Sequence, residues 1–191
     1  MSYHFYAMLS RMKNIYRWGL MRNTKQENLS EHSLEVAFIA HALSVINNKK
    51  LGGSVNPEKT ALAAMFHDTS EIITGDMPTP IKYYNPEIKS VYKQIEAVAE
   101  DRLISYLPDY MKEDIAAVYK DIPEDAARLI KAADKISAYI KCLEELKMGN
   151  REFSVAADTT LKAITAMKCP EADIFMSDFI PSFNLSLDEQ N

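Results

Sequence analysis

Hydrophobic residues recur along most of the chain at the three- and four-residue spacing of a helix that buries one face. The segments with this spacing cover residues of about 3–16, 31–47, 57–72, 86–106, 109–119, 123–148, 151–167 and 170–178. No segment alternates apolar and polar residues over the length of a strand, so we expect no sheet. The pattern therefore predicts an all-α protein.

Glycine and proline mark the joints between these segments. All five glycines lie between periodic segments, which is typical of a helical protein. Four prolines stand where a helix could begin: Pro57, Pro86, Pro123 and Pro170. No internal repeat, low-complexity stretch or linker divides the chain, so we expect one domain over residues 1–191, with a short tail at 181–191.

Composition narrows the classes of function. Hydrophobic residues make up 47% and charged residues 26% of the chain, which is typical of a globular protein and not of a disordered one. The net charge of −5 argues against a nucleic-acid polymer as the main partner. Cys142 and Cys169 form no C-x-x-C pair, which favours two free thiols in a reducing compartment. With no signal peptide and no apolar run of about 20 residues, we expect a cytoplasmic protein without a membrane partner.

The stretch from Met65 to Tyr83 carries the densest chemistry. It places His67 beside Asp68, followed by Glu71 and, in a turn marked by Gly and Pro, Asp76. Imidazole nitrogens and carboxylate oxygens both bind divalent first-row metals. Adjacent side chains on a helix point about 100° apart. Neighbouring residues such as His67 and Asp68 can therefore both reach one ion only near a helix face or end. This stretch therefore predicts part of a metal site that needs ligands from elsewhere.

A second histidine lies at the start of the next candidate helix upstream. His32 falls in the first turn, after Ser30 as a candidate N-cap, and heads the apolar stripe of that helix. The alternative for a single inward histidine is a hydrogen bond to a backbone carbonyl. His41 lies about 180° around the same helix, so we expect it at the surface and not as a ligand.

Asp134 occupies a comparable position on the long helix over about 123–148. It shares an apolar face, where a carboxylate is costly to bury unless it is paired or bound to metal. An ion pair with Lys131 or Lys141 is the structural alternative. Two imidazoles and two carboxylates suit Mn, Co, Fe, Ni or Zn, and four protein ligands leave positions open for water and substrate. The predicted set of metal ligands is His32, His67, Asp68 and Asp134.

The order H…HD…D on helices resembles the HD-domain metal-dependent phosphohydrolases, which are named after the His-Asp pair. Five ordered segments are similar to the bacterial 5′-deoxynucleotidase branch and span nearly the whole chain. They read L-S-R-M-K-N-I-Y-R-W-G-L-M-R-N, E-N-L-S-E-H-S-L-E-V-A, H-D-T-S-E-I-I-T-G-D-M-P-T-P-I-K-Y, K-A-A-D-K-I-S-A-Y-I-K-C-L-E-E-L and P-S-F-N-L-S-L-D-E. The resemblance implies an HD-type helical bundle, with the metal-site core at about 30–141.

The resemblance also implies an activity and its residues. The activity is hydrolysis of 2′-deoxyribonucleoside 5′-monophosphates to deoxynucleoside and phosphate by an enzyme with one divalent metal ion, such as Co, Mn or Zn. A homodimer is implied as well. Glu71 and Arg17 are implied as catalytic. The residues implied to contact substrate are Arg17, Trp18, His32, Asp68, Asp76, Met77, Pro78, Thr79 and Asp134.

Chemistry suggests a role for each of the implied groups. Glu71 can act as the general acid or base for the leaving 5′-oxygen, and Arg17 can hold phosphate oxygens with its planar fork. Trp18 can pack on the sugar and exclude a 2′-hydroxyl, while Asp76 can accept a hydrogen bond from the 3′-hydroxyl. Structural roles are the alternative for Arg17, Trp18 and Asp76. Gly19 stands where the family pattern has proline, which bears on substrate preference.

Two rival functions remain open at this point. One is another HD phosphohydrolase, acting on cyclic or polyphosphate nucleotides. Binuclear enzymes of that kind need further histidines, and His4 and His41 are the only ones left. The other rival is a nucleotide-binding HD module without catalysis, against which the retained ligands and Glu71 argue. The sequence leaves the physiological metal and the preferred base open, because affinity order and cellular availability conflict for the metal.

Overall fold

The computed structural model describes residues 2–78, 81 and 84–191 of the chain. Within these ranges it contains helices and no strand. The α-helices are α1 Phe5–Leu9, α2 Leu29–Lys50, α3 Pro57–Phe66, α4 Glu71–Thr74, α5 Pro86–Ser105, α6 Asp109–Lys120, α7 Glu124–Lys147, α8 Ser154–Ala166 and α9 Pro170–Asp178. Short 3-10 helices follow α1, precede α8 and lie near the C-terminus, at Ser10–Asn14, Arg151–Phe153, Ile180–Asn184 and Asp188–Gln190. None of the described helices combines the length and apolar character of a membrane span.

Prolines begin three of these helices, as the sequence predicts. Pro57, Pro86 and Pro170 are the first residues of α3, α5 and α9. Proline suits this position because the N–H it lacks would have no partner within the helix. Pro123 is the exception: α7 begins one residue later than predicted, at Glu124, and Pro123 is the residue before it.

The predicted N-cap of α2 is wrong by two residues. Asn28, and not Ser30, caps this helix: its side-chain oxygen accepts from the backbone N–H groups of Ser30 and Glu31, at 3.0 and 3.1 Å. The Glu31 carboxylate accepts in return from the Asn28 N–H, at 3.2 Å. This reciprocal pair is a capping box, in which the two side chains accept from backbone N–H groups that have no partner within the helix. It fixes the first turn of α2, where His32 lies.

The helix predicted over about 57–72 is interrupted. The helix α3 ends at Phe66, four turn residues follow, and α4 begins at Glu71. In the turn, the Thr69 hydroxyl donates to the Phe66 carbonyl at 2.9 Å. A threonine hydroxyl that binds a nearby carbonyl competes with helix continuation. The interruption brings His67 out of a regular helix and into a turn.

Two compact units share the described chain. One comprises the described residues within 1–22, 26–33 and 66–121. Its buried core is formed by Phe5, Leu103 and Leu107, and apolar side chains from α1, from the end of α3, from the residue after α5 and from α6 pack around them. Burying one such side chain contributes about 1.5–3 kcal/mol, so this small cluster ties α1 to the end of α5.

The other unit comprises residues within 23–25, 34–65 and 122–191. Its core is larger and centres on α2 and α7, with α3, α8 and α9 packed around them. The side chains of Leu43, Leu129, Ile136 and Ile140 are almost fully buried there. The predicted single domain over residues 1–191 stays a prediction.

A buried acid on α7 holds a short loop within this second unit. Glu145 accepts from the backbone N–H groups of Thr24 and Lys25, at 2.8 and 3.1 Å, and from the Asn150 amide at 2.8 Å. The Lys141 ammonium donates to Glu145 and to the Lys25 carbonyl. Burial alone would raise the pKa of Glu145, but these donors hold the pKa well below its ordinary value. The segment 23–25 is thereby fixed in place.

A second buried acid pairs with arginine in the same unit. Glu171 accepts two hydrogen bonds from the Arg128 guanidinium, at 2.7 and 2.8 Å, and one from the Asn47 amide at 2.6 Å. The Arg128 bonds, opposed by burial, hold the pKa of Glu171 at about 2, below the ordinary 4.5. A carboxyl whose pKa is lowered on folding stabilises the protein above its unfolded pKa.

We therefore expect Glu171→Gln to lower the free energy of unfolding by roughly 2 kcal/mol at pH 7. The difference from the wild type should shrink as the pH falls from about 4.5 to about 2, because only the unfolded wild type binds a proton there. Urea unfolding followed by circular dichroism at several pH values measures this. Asp109→Asn removes an exposed ion pair with Lys112 and should change stability little. A difference that stays constant with pH would contradict the expectation.

Candidate active site

The first turn of α2 presents a histidine to the interior. His32 is 0% exposed, and its backbone N–H donates to the Asn28 carbonyl at 3.1 Å. The capping box described above therefore sets the position of this side chain. His41, on the same helix, is exposed, as its place opposite the apolar stripe predicts.

The turn after α3 brings His67 and Asp68 to His32. One carboxylate oxygen, Asp68 Oδ2, lies 3.2 Å from His67 Nε2 and 3.5 Å from His32 Nε2. The two imidazole rings have centroids 5.4 Å apart and planes inclined by 53°. Each of the three residues offers one ligand atom, and these atoms all lie within 4.8 Å of one another. All three belong to the first unit.

This group of side chains fits one divalent metal ion. Imidazole nitrogens and carboxylate oxygens bind such an ion at about 2.0–2.2 Å, so neighbouring ligand atoms are expected about 3.0–3.5 Å apart. The measured separations from Asp68 Oδ2 to the two nitrogens, 3.2 and 3.5 Å, lie in that range. The donor set lacks thiolate and leaves coordination positions for water and substrate, which is typical of a hydrolytic site and not of a structural zinc site.

A hydroxyl pair supports the turn that carries His67 and Asp68. Thr69 is buried, and its Oγ1 lies 2.8 Å from the Tyr119 hydroxyl on α6. Burial, only partly offset by the Thr69 hydrogen bond, raises the pKa of Tyr119 to about 12, so the phenol stays protonated. The Tyr119 ring also packs edge-on against Phe66, with centroids 5.6 Å apart. Contacts from α6 thus hold the turn on both sides of His67.

Glu71 is the first residue of α4. It is 3% exposed, and its backbone N–H donates to the Asp68 carbonyl at 3.0 Å. Glu71 therefore directly follows the turn that carries two of the metal-binding candidates, and its side chain is kept out of bulk water. Its role as general acid or base stays a prediction.

Arg17 lies in the loop after the 3-10 helix Ser10–Asn14 and contacts this group. Its Nη1 donates to Asp68 Oδ2 at 3.3 Å, and its Nε donates to Glu27 Oε2 at 3.2 Å. The indole N–H of Trp18 donates to the same Glu27 oxygen at 3.0 Å. Arg17 and Trp18, two of the residues that the resemblance assigns to substrate, therefore both bind Glu27, and Arg17 also contacts Asp68. Glu27 has no role among the residues predicted from the sequence, because no local pattern connects it to an Arg-Trp pair nine residues earlier.

The turn after α4 holds further residues that the resemblance assigns to substrate. Asp76, Met77 and Pro78 are half-buried, and Thr79 lies outside the described residues. The turn begins at Gly75, whose φ of +75° favours glycine because other residues rarely adopt it. Tyr92 of α5 supports this point, since its hydroxyl lies 3.2 Å from Thr74 Oγ1.

Asp134 lies on α7 in the second unit. Its Oδ2 lies 3.3 Å from the ammonium of Lys135, and neither Lys131 nor Lys141 is its partner in this ion pair. Lys141 pairs with Glu145 instead. The structure therefore brings together His32, His67 and Asp68, and the fourth ligand stays a prediction.

The chain is similar to known proteins over nearly its whole length. The family model described as 5′-deoxynucleotidase YfbR-like matches residues 4–183. The chain belongs to this family. It is 54% identical over 188 residues to a 5′-deoxynucleotidase of Vibrio vulnificus, and the alignment covers 97% of each chain. It is 53% identical to a 5′-deoxynucleotidase of Photobacterium profundum, again with 97% of each chain covered.

Solved structures of low sequence identity share the fold. An HD-domain phosphohydrolase from Listeria innocua superimposes with a TM-score of 0.81 at 21% identity, covering 98% of this chain and 91% of its own. A cyanophage S-2L HD phosphohydrolase, DatZ, bound to dA and one catalytic Zn²⁺ ion, gives a TM-score of 0.66 at 21% identity, with 93% and 95% covered. The predicted all-α HD-type fold of this YfbR-like protein is confirmed.

Proposed function

We propose that this protein hydrolyses 2′-deoxyribonucleoside 5′-monophosphates to deoxynucleoside and phosphate, with one divalent metal ion. The observation that carries the proposal is the group of His32, His67 and Asp68, with Arg17 held against Asp68 Oδ2. A metal-binding group beside a guanidinium suits a phosphate monoester, because phosphoryl transfer depends chiefly on positioning and on neutralising oxygen charge. Membership of a family described as 5′-deoxynucleotidase supports the same substrate class.

His32, His67 and Asp68 would hold the ion, with Asp134 proposed as a fourth ligand. When bound, a divalent ion supplies Lewis-acid chemistry, which polarises a phosphoryl oxygen and makes water a better nucleophile at neutral pH. DatZ holds dA with one catalytic Zn²⁺ ion, and we propose the same number of ions here. Co, Mn and Zn are the proposed candidates.

The protein's own side chains would position the ester and move the proton. The guanidinium of Arg17 carries five N–H donors in a fixed fork, which suits phosphate oxygens beside the two carboxylates that it already contacts. Glu71 would give a proton to the leaving 5′-oxygen and is sheltered from bulk water. Trp18 would pack on the sugar, and the turn from Asp76 to Thr79 would contact its 3′-hydroxyl side.

The remaining expectations belong to the proposal as well. Homodimer formation rests on the family resemblance, and a cytoplasmic location rests on composition and cysteine use. The rival function, a phosphohydrolase with two metal ions, would need further histidines near His32, His67 and Asp68. His4 instead packs against Tyr106, with ring centroids 6.3 Å apart, and His41 is exposed on α2.

A substrate panel tests the proposal. With Mn, Co, Zn or Mg added in turn, we expect release of phosphate from deoxyribonucleoside 5′-monophosphates at least about tenfold faster than from the ribonucleotides. Cyclic, di- and triphosphate nucleotides should be poor substrates. Metal content per chain is measured in parallel. Substantial turnover of cyclic nucleotides would favour the enzyme rival, and nucleotide binding without phosphate release under any metal would favour the binding module.

A further inference from the structure

The loop that carries Arg17 and Trp18 is paired with the segment that leads into α2. The backbone N–H of Arg17 donates to the Glu27 carbonyl at 3.0 Å, and one antiparallel bridge joins the next pair of residues. Segments 15–17 and 27–29 therefore run side by side. This pairing places the side chain of Glu27 beside both Arg17 and Trp18.

One carboxylate oxygen serves both of these residues. Glu27 Oε2 accepts from Arg17 Nε at 3.2 Å and from Trp18 Nε1 at 3.0 Å. The side chains of Arg17 and Glu27 are each 12% exposed, so water competes little for these bonds. A hydrogen bond to a charged acceptor is about twice as strong as one between neutral groups. Glu27 therefore restrains the guanidinium and the indole together.

The backbone of Trp18 adds a second observation. Its φ is +59°, in the left-handed region that a bulky residue rarely adopts. Glycine adopts this conformation without cost, yet Trp18 holds it and the glycine that follows does not. Strained residues persist where surrounding contacts determine them, and such residues cluster at functional sites. The bond from the indole to Glu27 is one such contact.

We propose that Glu27 is a positioning residue, which orients Arg17 toward the phosphate and Trp18 toward the sugar of the substrate. This inference rests on the proposed function. When Glu27 is replaced, binding of the phosphate and discrimination of the sugar should change together, which is not expected for an acid with a purely structural role. Glu27 lies outside the group of candidate metal ligands, so metal binding should be unaffected.

The test uses Glu27→Ala and Glu27→Gln in the full chain. For Glu27→Ala we expect the KM for dAMP to rise about tenfold and the preference for dAMP over AMP to fall severalfold, with a smaller effect on kcat. Glu27→Gln keeps an acceptor oxygen and should recover part of both losses. Mn²⁺ bound per chain should equal that of the wild type.

Trp18 is the only tryptophan of the chain, so its fluorescence reports on the loop without any turnover. In Glu27→Ala we expect acrylamide to quench this fluorescence about twice as effectively, because the indole loses its anchor. Asp101→Ala is the matched control. It removes an acid of the same charge in the same unit, from an exposed pair with Lys120, and should leave kinetics and quenching as in the wild type.

The outcomes separate the inference from the proposed function. Wild-type KM, sugar preference and quenching in Glu27→Ala would overturn the inference, and so would a lower melting temperature as the variant's only change. If the wild type itself releases no phosphate from any deoxynucleotide, the proposed function fails. The quenching experiment then still decides whether Glu27 holds Trp18, because it needs neither substrate nor metal.

Discussion

Replacing His67 with alanine should abolish metal binding and lower kcat/KM for dAMP by about a thousandfold or more. The variant keeps only two ligands of the observed group, and a site that has lost a ligand cannot hold the ion in place for Lewis-acid chemistry. The side chain of His67 is 16% exposed, so its loss should leave folding largely intact. Metal content per chain and phosphate release measure the two effects.

The control for this variant is His41→Ala. It removes an imidazole from an exposed position on α2, and we expect wild-type metal content and turnover. Treatment with a chelator followed by Mn²⁺ should restore activity to the wild type and to this control, but not to His67→Ala. Retention of both metal and activity in His67→Ala would remove this residue from the site.

Glu71→Ala should keep the metal and lose most turnover, by about a hundredfold to ten-thousandfold in kcat. Glu71 is three residues after Asp68 and donates its backbone N–H to the Asp68 carbonyl, yet it is not a member of the metal-binding group. Loss of a general acid or base affects the reaction step more than it affects ion binding. Glu71→Gln, which preserves size, should be similarly impaired because an amide does not transfer the proton.

Two measurements decide the role of Glu71. In Glu71→Ala, the pH profile of kcat should lose the limb that depends on the Glu71 carboxyl. The metal content should match that of the wild type. Glu58→Gln, at an exposed acid in the first turn of α3, is the control for a lost charge and should have no effect. A metal-loaded Glu71→Ala protein with the full rate would exclude the assigned role.

Much of the fold could be predicted because local rules decide it. Proline at a helix start and glycine between helices act within a few residues, so Pro57, Pro86 and Pro170 mark where the observed helices begin. The end of α3 could not be predicted in this way. There the Thr69 hydroxyl donates to the Phe66 carbonyl and also lies 2.8 Å from the Tyr119 hydroxyl, fifty residues away. The periodicity of the sequence carries no information about the second of these contacts.

The N-cap of α2 was a different kind of error. Asn28 and Ser30 are both good N-cap residues, and the choice depends on Glu31, three residues after Asn28. This signal was present in the sequence. The site shows the same division: His32 was found from the apolar face that it heads, whereas Glu27 became visible only where the structure joins it to Arg17 and Trp18.

The anchored segment 23–25 bears on which nearby positions can tolerate substitution. Glu145 fixes this segment through its backbone, and Glu27 fixes the loop at Arg17 and Trp18, so changes in length there would disturb either anchor. The stretch between them is open by comparison. Leu20 is 73% exposed, and a side chain added at Gly19 would meet nothing within 4 Å. Larger or different side chains should therefore be tolerated at positions 19 and 20 without disturbing either anchor, whereas Met21 is more restricted because its N–H donates to the Trp18 carbonyl at 2.9 Å.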